Sequence, residues 1–235
     1  MKRFIGRFCI GAGCLLVIGA FALTGYNFYQ DGEAGRASEE ALVSVKAEIE
    51  AHSLQGVIDR VNDARYAGMD RDGHDQFIGV ETVAITPDYQ VAPDLIEMPT
   101  VSATIGVGDG TRTSKYVGYL YFPKLDLELP VLSEFSDDGL HIAPCRYSGS
   151  VYTGNMIVMA HNNQKHFGYV RNKLFRGDKV EFTDADGNVF LYKITDKETL
   201  DETDVAGMNA GIWDMTLITC TPGGRQRVAV RCELI

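Results

Sequence analysis

Three residue types in this chain are placed where they could do chemistry: a cysteine, a histidine and a group of arginines. The run Thr216-Leu217-Ile218-Thr219-Cys220 is β-branched and apolar and ends on a thiol, and Thr221-Pro222-Gly223-Gly224 then opens a loop. Strand alternation puts Thr216, Ile218 and Cys220 on one face. A structural cysteine more often sits mid-strand as a small hydrophobe. Cys220 sits where strand meets loop, the usual place for a reactive group. A second apolar run, Asn155 to Ala160, ends in His161-Asn162. Arg225, Arg227 and Arg231 follow the cysteine. Taken singly, these are a small hydrophobe, a bystander histidine and a solvated basic edge. Together they meet a requirement, because a thiol becomes a nucleophile near neutral pH with help from a nearby cation or base. At reference pKa values about 3% of a cysteine is thiolate and about 25% of a histidine is cationic at pH 7. A Cys-His-Arg site works with that small active fraction or shifts it upward.

Among the arginines, Arg227 is the candidate. If 215–220 and 227–234 form a hairpin, Cys220 and Arg227 flank its loop. Arg231 then lies opposite Thr216, about 13 Å further along at ~3.3 Å per residue. Arg225 falls inside the loop. Among the histidines outside the N-terminal run, His161 alone ends an apolar strand. His166 is its nearest competitor, ahead of His52, His74 and His141. Of the cysteines, Cys145 and Cys232 each adjoin an arginine, and a bridge between them would leave Cys220 free.

The elements that must position these residues are mostly strands. Short Val-, Ile-, Tyr- and Phe-rich runs at 116–122, 128–133, 155–161, 179–183, 189–199, 215–220 and 227–234 are separated by turn residues. A short helix fits 167–176. About 120 residues of this pattern predict an all-β fold that closes on itself. Residues 53–115 are rich in Gly, Pro and Asp and read as a linker, with a strand near Ile78 to Ile85. Before them Ser38 can cap a helix carrying an apolar stripe of Leu42, Val45 and Ile49, which reads as a spacer. The aspartates Asp70, Asp72 and Asp75, and separately Asp184 and Asp186, look faintly like calcium loops but lack EF-hand spacing. Asp186-Gly187 reads better as a hairpin turn. No metal or cofactor is expected.

Residues 8–30 carry no charged side chain, long enough to span a bilayer as a helix. Lys2, Arg3 and Arg7 precede this run and Asp31, Glu33, Glu39 and Glu40 follow, which puts residues 1–7 in the cytoplasm and the remainder outside. Tyr26, Phe28 and Tyr29 suit the interface. Ala20-Phe21-Ala22 also fits a cleaved signal peptide. The division expected is therefore a cytoplasmic 1–7, an anchor at 8–30, a helix and linker at 31–115, and a catalytic domain at 116–235. Three of the 22 basic residues precede the run, so residues 31–235 carry 19 basic against 32 acidic side chains. That surface repels phosphate backbones and argues against nucleic acid as a partner.

Cys220 at the end of TLITC, Arg227 seven residues on, and the His161-Asn162 strand end 59 residues before the cysteine resemble the sortases. The resemblance covers roughly residues 116–235. It implies an eight-stranded β-barrel, of which seven strands are visible here. It implies that Cys220 attacks the Thr–Gly bond of an LPxTG-like sorting signal. His161 then acts as general acid and base, and Arg227 holds substrate and oxyanion, with Thr219 shaping the oxyanion site. The implied partners are surface proteins bearing the signal, and the amine of a cell-wall precursor or of a pilin, at the cytoplasmic membrane. The chain stops directly after its last strand, and no Asp-Pro-aromatic motif precedes the barrel. With Thr221-Pro222 after the cysteine, these point to an anchoring enzyme of class D-like or class B-like type. A papain-like thiol hydrolase would place its cysteine at a helix N-terminus. A non-catalytic adhesin or pilus-associated β-domain is the alternative of a different kind, and it would have no use for a reactive thiol.

Overall fold

The computed structural model describes residues 2–67, 97–108, 110–210 and 213–235, with side chains of the first helix described at 13–26, 29 and 32–56. That helix, α1, runs unbroken from Lys2 to Ala67. Nine strands follow: β1 (Val101–Val107), β2 (Gly110–Phe122), β3 (Leu127–Leu132), β4 (Cys145–Ser148), β5 (Met156–Met159), β6 (Lys179–Asp184), β7 (Val189–Asp201), β8 (Met215–Cys220) and β9 (Gln226–Leu234). Three short helices interrupt them, α2 (Asp137–Leu140), α3 (Gly168–Lys173) and α4 (Val205–Asn209). All nine strands belong to one sheet in the order β1-β2-β3-β4-β5-β8-β9-β7-β6, and β2 also pairs with β6. Strands β2 to β9 thus form a ring of eight, with β1 added outside it as an edge on β2.

The interior of the ring is apolar. Leu120, Phe122, Phe182, Val158, Leu217 and Val230 are buried there together. Each such side chain contributes about 1.5–3 kcal/mol on leaving water. A second core lies outside the ring, under α1. Ala41, Val45 and Ile49 recur every four residues and pack on Val101, Ala103, Ile105 and Tyr116. Polar ties reinforce this packing. Lys46 Nζ meets Glu128 at 2.6 Å, and the Gly106 amide donates to Glu40 Oε1 at 3.0 Å.

Several expectations change here. The helix read as a spacer is a docked structural element, and Ser38 is a buried residue inside it rather than a cap. Strand β1 begins within the stretch read as linker. The strand expected near Ile78 to Ile85, the aspartates 70, 72 and 75, and His74 lie outside the described residues. Asp184 ends β6 and ties down the turn that follows. Its carboxylate accepts from the amides of Asp186 and Asn188 at 2.9 and 2.8 Å and from the hydroxyl of Tyr152. On α1, Leu15, Leu16, Val17, Ile18, Phe21 and Leu23 stand exposed. Among the described residues no helix is long and apolar enough to cross a membrane, and the expected span at 8–30 includes side chains outside them.

Candidate active site

Strand β8 lies between a parallel neighbour, β5, and an antiparallel one, β9. Parallel pairing brings the C-terminal ends of β5 and β8 to the same end of the ring, which places His161 and Cys220 at that end. The junction is clamped just before the histidine. The Ala160 amide donates to the Ile218 carbonyl at 3.0 Å, and the Thr219 hydroxyl donates to the Ala160 carbonyl at 2.8 Å. The loop beyond is pinned too. The Phe167 amide donates to the His161 carbonyl at 3.1 Å, and Arg171 Nε donates to Asn162 Oδ1 at 2.9 Å.

Across the other ladder Cys220 pairs with Arg227, and Thr216 with Arg231. The intervening loop turns through Gly223 and Gly224, both at positive φ (83° and 76°), which a side chain would strain. Gly224 turns its carbonyl to Arg227, whose Nη1 donates to it at 2.8 Å and to the Gln226 carbonyl at 3.3 Å. Nε and Nη2 of Arg227 meet no acceptor among the described residues. Arg231 is its opposite, buried at 1% exposure. Its Nε donates to Glu198 Oε1 at 2.7 Å, its Nη1 to the Met208 carbonyl and Thr216 Oγ1 at 3.0 Å each, and its Nη2 to the Gly207 carbonyl at 2.6 Å. Arg225 is exposed in the loop.

Cys220 is half-buried, and Cys145 and Cys232 are fully buried. The suggested bridge between those two is absent, since both are free thiols, one in the ring interior and one in the core under α1. Burial pushes the Cys145 thiol up to about 11 and raises that of Cys232 as well. Both therefore stay protonated and unreactive near neutral pH.

Cys220, His161, Asn162 and Thr221 line one cleft of about 370 Å³. Two of its other lining residues come from distant elements of the fold. One is Ala34 of α1. The other is His141, just after α2, whose ring centroid lies 5.1 Å from that of His161. No spacing in the sequence marks either one, because each reaches the site through tertiary packing. His166 is fully buried and does not line the cleft. Burial lowers its pKa to about 4, with like charge from His161 and His141 adding to the effect.

Residues 120–235 match the family model of the sortase domain, which makes that segment a sortase domain and supports membership of the sortase family. No curated protein matches the chain. Among solved structures, sortase C1 of GBS Pilus Island 1 is 20% identical over 51% of this chain and 64% of its own, with a TM-score of 0.46. A Clostridium perfringens sortase D5 transpeptidase is 23% identical over 51% of this chain and 79% of its own, at 0.45. A Clostridium perfringens sortase C, solved with the C-terminal cell wall sorting motif, is 25% identical over 51% and 70%, at 0.46. The chain spans just under two thirds of the first of these.

Proposed function

We propose that this chain is a membrane-anchored cysteine transpeptidase that joins surface proteins bearing an LPxTG-like sorting signal to an amine at the cell wall. The observation that carries the reading is that Cys220 and His161 line one cleft while Arg227 stands beside Cys220 in the β8–β9 register, all inside the segment that matches the sortase domain. The Cys220 thiolate adds to the carbonyl of the threonine in the signal. Arg227 faces the developing oxyanion with the donors left unspent on the protein. The C–N bond breaks, His161 gives its proton to the leaving amine, and a thioacyl-enzyme remains. An incoming primary amine then loses a proton to His161, attacks the thioacyl carbon and expels Cys220 as thiolate. Thr219 contributes as a positioning residue, because its hydroxyl holds the carbonyl just before His161.

The uncharged run 8–30 supplies the anchor, with basic residues before it and acidic residues after. The eight-stranded ring would then be the extracellular β-barrel of the enzyme. The Thr221-Pro222 sequence after the nucleophile supports an anchoring role of class D-like or class B-like type. The test is to incubate residues 31–235 with a panel of sorting peptides, with and without an amine, and to follow the protein by mass spectrometry. An acyl adduct on Cys220 that an amine discharges is the expected result. Turnover by the Cys220→Ala variant, or no adduct with any peptide, would remove the reading.

A further inference from the structure

A groove of about 730 Å³ lies between α1 and the β1–β2 end of the molecule, and its lining shares Ala34 and His141 with the thiol cleft. The two depressions therefore adjoin. We infer that this groove receives the amine acceptor, a short peptide segment presenting one primary amine, and delivers it to the thioacyl group on Cys220. The inference rests on the transpeptidase reading above.

Three observations assign the groove to the acceptor. The first is direction. Cys220 has Arg227 on its β9 flank and His161 on its β5 flank, and His141, the residue that joins the groove to the cleft, is the one packed against the His161 ring. The attacking amine must come within hydrogen-bond reach of the base that takes its proton. A path that passes His141 brings it to His161. The second is charge. Glu33, Glu40 and Asp138 line the groove against Arg36 and Arg112. Glu33 is paired with Arg36, Glu40 accepts the Gly106 amide, and neither Asp138 nor Arg112 has an ion pair among the described residues, so the lining sets three acids against two bases. An ammonium group is drawn to such a lining before it loses its proton. The third is fit, since the volume lies within the roughly 300–1,000 Å³ usual for sites that enclose small ligands. The helix that forms one wall also packs close to the loop after His161. Gly35 lets α1 approach the loop after His161 so closely that a Cβ there would meet Lys165 Cγ at 2.9 Å.

In the transfer step the amine nitrogen bonds to the thioacyl carbon, the C–S bond breaks, the sulfur leaves as thiolate, and the amine proton passes to His161. Water is the competing nucleophile, so the ratio of aminolysis to hydrolysis reads acceptor binding and cancels any change in acylation. The experiment measures that ratio with a donor peptide ending just after the cleaved bond, using two acceptors, triglycine and an N-acetylated lysine peptide. Two groove variants are compared with wild type: the double variant Glu33→Gln/Asp138→Asn, and Val107→Trp, whose side chain is exposed at the groove rim. Val189→Trp, exposed on β7, is the control. The expected result is a fall of about tenfold in the ratio for each groove variant, the loss of roughly 1.4 kcal/mol of binding, with no change for the control. A fall with only one acceptor tells a main-chain amine from a side-chain amine as the natural group. An unchanged ratio in both groove variants overturns the inference. So does an unchanged ratio with a raised KM for the donor, which would give the groove to the sorting signal. Failure to form any thioacyl-enzyme would instead strike the transpeptidase reading itself.

Discussion

The β8–β9 hairpin holds a cysteine and an arginine near each of its ends, and the two sets have opposite fates. At the loop end Cys220 is half-buried and Arg227 spends a single nitrogen on backbone carbonyls. At the other end Cys232 is sealed in the ring interior, and Arg231 spends all three nitrogens on Glu198, Thr216 and two carbonyls of the α4 segment. Residue type does not separate the two ends, but the supply of partners does. Where α4 and β7 offer acceptors, an arginine becomes a strut. Where the loop offers only two carbonyls to one nitrogen, the other donors stay unspent.

The largest expected effect concerns the thiols. Cys220→Ala should reduce turnover to background with no loss of fold, while Cys232→Ala should stay active and lose about 1 kcal/mol of stability to the small cavity left behind. Full activity in Cys220→Ala would collapse the distinction between the ends. The arginines should then cross over. Arg227→Ala is expected to lose about 100-fold in kcat/KM, on the scale of an oxyanion donor, with little change in Tm. Arg227→Lys should be impaired as well, since it keeps the charge and loses the fork. Arg231→Ala should do the reverse, losing about 3 kcal/mol by leaving buried carbonyls and Thr216 without their donor while retaining activity once folded. Paired denaturation and kinetics on these variants test the crossing, and a larger kinetic loss at 231 would break it.

A third expectation concerns pH. His166 takes up a proton near pH 6.5 when the chain is unfolded but only at about 4 in the fold. The unfolded state therefore binds more protons between those values, and stability falls as pH drops through that window, by up to roughly 3 kcal/mol. Denaturation midpoints of wild type and His166→Phe, measured from pH 7 to pH 4, should diverge, with the variant losing most of the slope. Parallel curves would show that another group is responsible. The smallest expected effect is at Thr219→Val, which removes the tie to Ala160. It should cost about 1 kcal/mol and only a few-fold in kcat, seen as a gentle shift in the same assays.

The register of this hairpin was legible in the sequence because strand alternation and a short glycine turn leave little freedom once Cys220 and Arg227 are set at its mouth. Seven strands were legible from their apolar and β-branched composition. Strand β4 was not, because Cys145-Arg146-Tyr147-Ser148 lacks the continuous apolar run that marks the equally short β5, Met156–Met159. Strand β1 alternates buried and exposed, but Ala, Ser and Gly carry little β preference, and α1 covers its apolar face. His161 stood out at a strand end, and His141 did not. Its approach to His161 is set by the packing of α2, which local sequence does not encode.

The unbroken course of α1 has a mechanical consequence. The same rigid rod that would leave the bilayer at Gln30 lines the thiol cleft at Ala34, four residues on, a rise of only about 6 Å at 1.5 Å per residue. With residues 8–30 in the membrane, as proposed, the enzyme has no tether to swing on. Its stand-off from the lipid headgroups and its compass bearing are both locked to helical phase. Four residues added between Gln30 and Gly32 would lift the cleft by about one turn and keep its bearing, whereas two would turn it by about 200° to face a different way.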